Sequence, residues 1–143
     1  MKGEKFYLKA KMLHERMYEY PNYVDENNRK EMYNQYFDLI KKAAYLGHPE
    51  AQYDLGQQYE NMNYLNIQNP KYNPKKCIYW YTKACMQNHA EACNNLASFY
   101  ETGNGCKKNL KKALALYKKS ADLGYSIGKK NYKIMLRQMQ TNP

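Results

Sequence analysis

An all-α fold, a right-handed solenoid of antiparallel helix pairs with about seven helices, is predicted by three observations. A segment recurs along the chain at a nearly fixed spacing, which marks a repeat architecture. Apolar positions inside each copy recur at the helical period, not in alternation. Proline and glycine stand where helices start and stop.

The recurrence is read directly from the residues. YFDLIKKAAYLGHPEAQYDLGQQYE (Tyr36 to Glu60) set above CIYWYTKACMQNHAEACNNLASFYE (Cys77 to Glu101) pairs Lys42 with Lys83, Ala43 with Ala84, His48 with His89, Ala51 with Ala92, Leu55 with Leu96 and Tyr59 with Tyr100, a shift of 41. A third copy, ALALYKKSADLGYSIGKKNYKIM from Ala113, aligns Ala121 with Cys85 at a shift of 36. The five-residue difference falls between the Tyr-Glu pair and the next helix, where NMNYLNIQNPKYNPKK is longer than TGNGCKKNLKK. Extended backward, the 41-residue shift puts Ala10 on Ala51 and Tyr18 on Tyr59, so a degenerate first unit precedes the clear ones.

Helices are expected over residues 4–20, 25–46, 50–61, 74–87, 90–101, 109–123 and 126–139. Pro49 and Pro74 sit at first helical positions, where a missing N–H costs nothing. Gly47 and Gly124 end their helices as C-caps. Apolar Ala51, Leu55 and Tyr59, and then Ala113, Leu116 or Tyr117, and Ala121, keep the 3.6-residue period. Helix pairs repeated at this spacing hide their apolar stripes only by stacking, and small residues such as Ala43, Ala84, Ala92 and Ala97 let the backbones approach. The chain then reads as one repeat domain over residues 1–143, with a degenerate unit at 4–46, repeats at 50–87 and 90–123, and a capping helix at 126–139.

With 143 residues the chain is one domain's worth. Seventeen tyrosines against three Phe and one Trp mean that much of the core carries hydroxyls needing partners. No run is long and apolar enough for a membrane span, and the charged start is no export signal, so the chain is cytosolic or a processed form. The net charge of +10 is concentrated: residues 107–143 carry nine Lys and Arg137 against Asp122 alone. Such an end either meets an acidic protein, an anionic surface or nucleic acid, or simply solvates the last helices. No nucleic-acid recognition motif accompanies these lysines, and specific nucleic-acid binding is not expected.

The pattern A-x-x-x-L-G-x-x-Y is matched by Ala51, Leu55, Gly56 and Tyr59. The G-x-G of a turn is matched by Gly103 and Gly105, and the pattern K-A-x-x-x-Y-x-K-A-A/C-x-x-G by Lys112, Ala113, Tyr117, Lys119 and Ala121. Together they resemble the Sel-1-like repeat, a relative of the tetratricopeptide repeat, over about residues 30–135. The first turn lacks the glycines, and Gly128 and Lys129 replace the usual alanine and small residue in the last unit.

Cys85 near the end of one helix and Cys93 about one turn into the next are brought together by antiparallel packing, at the separation a disulfide needs. Cys77 and Cys106 occupy the opposite end of the same hairpin, so a second bridge is expected there. "KAC" with a cysteine eight positions on also resembles the Helicobacter cysteine-rich proteins, a disulfide-bearing branch of the family. Free buried thiols and a metal site are the other readings, although spacings of 8, 8 and 13 match no zinc ribbon. Bridges would favour the periplasm or secretion, free thiols the cytoplasm.

No nucleophile with its base, no carboxylate pair and no metal set is evident, and no cofactor is expected. His48 and His89 share one repeat position at helix starts, which suits capping. Ser126 and Lys129 fit S-x-x-K. The cysteine-rich relatives imply β-lactam binding or a weak β-lactamase-type activity as the alternative function, but no companion motif supports this pair. A repeat stack instead offers a concave face lined by the first helix of each unit. Its exposed candidates are Gln52, Tyr53 and Gln57, then Asn94, Asn95, Ser98 and Phe99, then Lys130 and Lys133. The sequence therefore points to a non-catalytic adaptor for a protein or peptide, acidic where it meets the basic end, with an immunity protein against a secreted toxin as one form of that role.

Overall fold

The computed structural model describes residues 1–19, 25–60 and 69–141. Among these, every regular element is an α-helix: α1 (Glu4–Glu19), α2 (Glu26–Tyr45), α3 (Pro49–Gln58), α4 (Pro74–Met86), α5 (Ala90–Thr102), α6 (Leu110–Asp122) and α7 (Ser126–Thr141). Each lies within a few residues of its expected span. The expectations for residues 20 and 61–68 lie outside the described residues.

The chain divides into two compact units, Met1–Leu55 and Gly56–Pro143. In the first, α1 packs on α2, and Ala10, Met17, Tyr36, Ile40, Ala43 and Ala44 are buried together with Ala51 and Leu55 of α3. In the second, α4 packs on α5, α5 on α6 and α6 on α7, while α5 also touches α7. Contact between α5 and α7, the first helices of successive pairs, is the side-by-side stacking of a repeat array. A cluster of Ala97, Ala113, Tyr117 and Met135, flanked by Tyr100, Leu116 and Tyr132, fills the space among these helices.

Three helices end in the same way, at the shifts read from the sequence. After α2, Gly47 N–H donates to Ala44 C=O and His48 N–H to Ala43 C=O. After α4, Asn88 donates to Cys85 and His89 to Ala84. After α6, Gly124 donates to Ala121 and Tyr125 to Ser120. Each is a Schellman turn, which requires a left-handed residue at its second position. Gly47 (φ 91°), Asn88 (φ 64°) and Gly124 (φ 93°) supply it, 41 and then 36 residues apart. The residue closing the turn also opens the next helix: His48 Nδ1 accepts from Ala51 N–H at 3.4 Å and His89 Nδ1 from Ala92 N–H at 3.2 Å. A connection this short forces neighbouring helices antiparallel.

The longer connection between α3 and α4 closes on the contact its shorter counterpart makes. Asn73 N–H donates to Tyr59 C=O at 2.9 Å, and Asn109 N–H to Tyr100 C=O at 2.8 Å. Asn73 and Asn109 then cap α4 and α6 with their side chains. Lys76 lies over the Tyr59 ring at 4.8 Å and Lys112 over the Tyr100 ring at 4.1 Å. The five extra residues thus leave the register of the repeat untouched.

The recurring lysine and tyrosine of the motif acquire physical roles. Lys119 Nζ reaches the Cys85 carbonyl at 2.8 Å and satisfies the negative end of α4. Tyr117 OH donates to Glu101 Oε2 at 2.7 Å, so a buried hydroxyl is partnered as expected. The unusual Gly128 is explained by Ser120, which is fully buried and donates to Ala90 C=O at 2.7 Å. A Cβ at position 128 would collide with that hydroxyl.

Cys85 and Cys93 form a disulfide with S–S 2.05 Å and Cα–Cα 4.8 Å, tying the end of α4 to the first turn of α5. The expected second bridge is not formed: Cys77 and Cys106 are free thiols. Cys77, in the first turn of α4, is wholly buried in the core. Cys106, past the end of α5, turns its thiol to the Phe99 carbonyl at 3.4 Å. Burial, reinforced by nearby Glu60, pushes the Cys77 thiol up to about 12, so it stays protonated and inert near neutrality.

Candidate functional site

The face expected to hold a partner is best defined in unit 2, where α5 and α7 lie side by side. The two helices are joined there by Asn131, whose Nδ2 donates to Asn94 Oδ1 at 2.9 Å, while Asn94 Nδ2 donates to Asn95 Oδ1 at 3.3 Å. Asn94 is therefore buried between helices and serves as a joint. Asn95 is half-buried beside it, and Ser98, Lys130 and Lys133 are exposed.

Two more of the expected surface residues turn inward. Gln52 is buried at 5% exposure, and its Nε2 donates to the Ala44 carbonyl at 3.2 Å. Phe99, at 7%, packs at 6.1 Å from the Tyr81 ring as part of the core. Helical periodicity placed both on an outward face. A long amide with a backbone carbonyl in reach, and an aromatic ring beside another, bury themselves regardless. Tyr53 and Gln57 are half-buried.

Beyond Ser98 the surface becomes concave. A cavity of about 280 Å³ is lined by Glu60, Tyr72, Ser98, Phe99, Thr102 and Asn104. Tyr72 and Asn104 clasp each other across one side, with Tyr72 OH 3.0 Å from Asn104 Oδ1. Glu60 supplies the charge. Burial raises its carboxyl above the ordinary value, and a hydrogen bond with Tyr81 partly offsets that rise. A desolvated carboxylate among hydroxyls and an amide is an acceptor-rich pocket, matched to a cationic or multiply donating side chain.

Sequence reasoning named Ser98 and Phe99 of this set and missed Glu60, Tyr72, Thr102 and Asn104. Thr102 does fall one turn beyond Ser98 on α5, and Glu60 lies two residues past the end of α3. Tyr72 and Asn104 belong to connections whose approach no periodicity encodes.

Ser126 and Lys129 are both exposed on the first turn of α7. Among the described residues no group of three or more His, Cys, Asp or Glu stands close enough to hold a metal ion, and no helix is long and apolar enough to cross a membrane.

Comparison with known proteins gives a consistent picture. The model of the Sel1 repeat matches residues 49–89 and 90–125. Chitin synthase regulatory factor 3 of Schizosaccharomyces pombe is 33% identical over 99 residues, which is 64% of this chain and 10% of that protein; the chain thus spans about a tenth of this relative's length. A Sel1 repeat protein from Oxalobacter formigenes superposes with a TM-score of 0.61 at 30% identity, over 69% of this chain and 39% of the other. A protective antigen of uropathogenic Escherichia coli strains displaying an SLR fold gives 0.59 at 28% identity, over 68% and 20%. Helicobacter pylori cysteine-rich protein B gives 0.60 at 23% identity, over 85% and 95%, a likeness of fold.

Proposed function

The chain belongs to the Sel1 repeat family, whose members are generally protein-interaction modules, and we propose that it is a non-catalytic adaptor whose α5–α7 face holds a protein or peptide. The observation that carries this reading is the cavity beside Ser98. It lies on the helix that a repeat stack presents to partners, and Glu60 gives it a preference for a cationic or donor-rich side chain. Ser98 lines that anchor point, and Asn95 on α5 with Lys130 and Lys133 on α7 are the further positions assigned to the binding face. Asn94 and Phe99 set their positions from below. Lys130 and Lys133 add contacts for acidic groups flanking the inserted side chain, so the partner carries both signs of charge in a fixed order. Neutralisation of a secreted toxin by an immunity protein is one role such a surface suits.

Selection of displayed random peptides on the immobilised chain tests the proposal. Selected peptides are expected to carry Lys or Arg at a fixed position. They should weaken about tenfold on Ser98→Trp, which blocks the cavity mouth, or on Glu60→Gln, which removes its charge. Lys111→Glu, at an exposed site on α6, should leave binding unchanged. Peptides indifferent to both cavity changes would sink the reading. So would turnover of nitrocefin that disappears on Ser126→Ala.

A further inference from the structure

Unit 1 carries a different surface. Between α1 and α2 lies a groove that the core leaves open. One stretch, a cavity of about 510 Å³, has Met12, Leu13 and Leu39 among its walls, with Lys9, Arg16 and Lys42 beside them. A second cavity of about 440 Å³ shares Asp38 and Lys42 with the first and continues past Phe6, Lys41, Tyr45 and Leu46. Met12 is 64% exposed and Leu46 45%, so large apolar side chains stand in solvent along it. A run of exposed apolar surface rimmed by charge is the usual mark of an interaction site.

The rim decides the partner. Lys9 and Arg16 stand on the α1 side and Lys41 and Lys42 on the α2 side, whereas Asp38 is the lone carboxylate among the lining residues. From Gln35 to Leu46 the α2 wall is twelve residues long, and its eleven rises of about 1.5 Å span roughly 16 Å or three helical turns. We infer that this groove is a docking site for an acidic amphipathic helix, about three turns long, with its apolar stripe on Met12, Leu13 and Leu39 and its carboxylates on both cationic walls. Helices seat in grooves by apolar anchors at i, i+3 or i+4 and i+7, and this groove has the length and the depth for that set. A flat anionic bilayer has nothing to place in a concave cavity of this size. A second copy of the chain, at a net charge of +10, brings like charge to a basic rim.

The test uses the full chain and a fluorescein-labelled 14-residue helical peptide with leucines at i, i+4, i+7 and i+11 and glutamates on both flanks. A scrambled peptide of the same composition and vesicles containing phosphatidylglycerol serve as the other arms. The ordered peptide is expected to bind at least tenfold more tightly than the scrambled one, with amide chemical-shift changes confined to α1 and α2. Met12→Glu and Lys42→Glu, both at exposed positions, should each weaken it about tenfold, and Ser98→Trp should not. Equal binding of the scrambled peptide would overturn the proposal, because charge alone would then suffice. Vesicle binding that is lost on Met12→Glu while the peptide fails to bind, or concentration-dependent dimerisation abolished by the same change, would equally overturn it, in favour of a membrane or a second copy.

Discussion

The turn after α2 and the turn after α4 are built on one backbone plan and held by different chemistry. Both are Schellman turns, and both are closed by a histidine that caps the following helix. At the two positions eight residues apart that face each other across the turn, one has Ala44 and Gln52 and the other Cys85 and Cys93. In the first, the Gln52 amide donates to the Ala44 carbonyl at 3.2 Å. In the second, a disulfide spans the same gap. The third turn, after α6, has Ala121 and exposed Lys129 there, and the neighbouring Ser120 bonds instead to Ala90 at the start of α5. The repeat thus brings the same two positions together and leaves the means of tying them open.

The largest effect should come from removing the covalent version. In the chain-entropy model, closing a loop of about eight residues is worth roughly 2.5 kcal/mol, so Cys85→Ala with Cys93→Ala should lower the urea-unfolding free energy by about that amount. Wild type in reductant should match the double variant, and the variant should ignore reductant. Native material should yield two alkylatable thiols after unfolding without reductant and four with it. If reductant leaves wild-type stability unchanged, the bridge contributes nothing beyond what the hydrogen-bonded turn already has.

Breaking the non-covalent version should cost less. Gln52→Ala deletes one buried amide-to-carbonyl hydrogen bond, worth about 1 kcal/mol, and the loss should be the same with and without reductant. Gln52→Cys combined with Ala44→Cys sharpens the comparison, because equivalent backbones should accept the same bridge. Oxidised protein would then weigh about two mass units less and gain reductant sensitivity at this turn.

The plan of these turns was open to sequence reading, and their chemistry only partly so. Glycine at 47 and 124 and the shifts of 41 and 36 gave the helix ends, since left-handed backbone restricts residue choice severely. Asn88 completes that series without being glycine. The Cys85–Cys93 pair was legible because adjacent antiparallel helices fix which positions meet. Cys77 and Cys106 were not, because one stands inside a helix and the other in a loop whose path periodicity does not encode. Gln52, Asn94 and Phe99 were misplaced for a related reason: helical phase gives a residue's direction within about a turn, while its burial depends on a partner on another element. Hence the candidate cavity was half seen, through Ser98 and Phe99, and its charge, Glu60, was not.

The smallest expected effect tests whether the turn or its residue matters. Asn88 holds φ 64° where its counterparts are glycine, and it is exposed. Asparagine tolerates the left-handed region better than other side chains but still with some cost, which glycine would remove. Glycine also loosens the unfolded chain, which opposes that gain by a similar amount. Asn88→Gly should therefore shift unfolding free energy by less than about 0.5 kcal/mol in either direction. The shift should be equal in oxidised and reduced protein, because the backbone plan precedes the bridge. A loss above about 1 kcal/mol that vanished in reductant would mean instead that Asn88 positions Cys85 for Cys93, and that in this turn the disulfide and the backbone are one device.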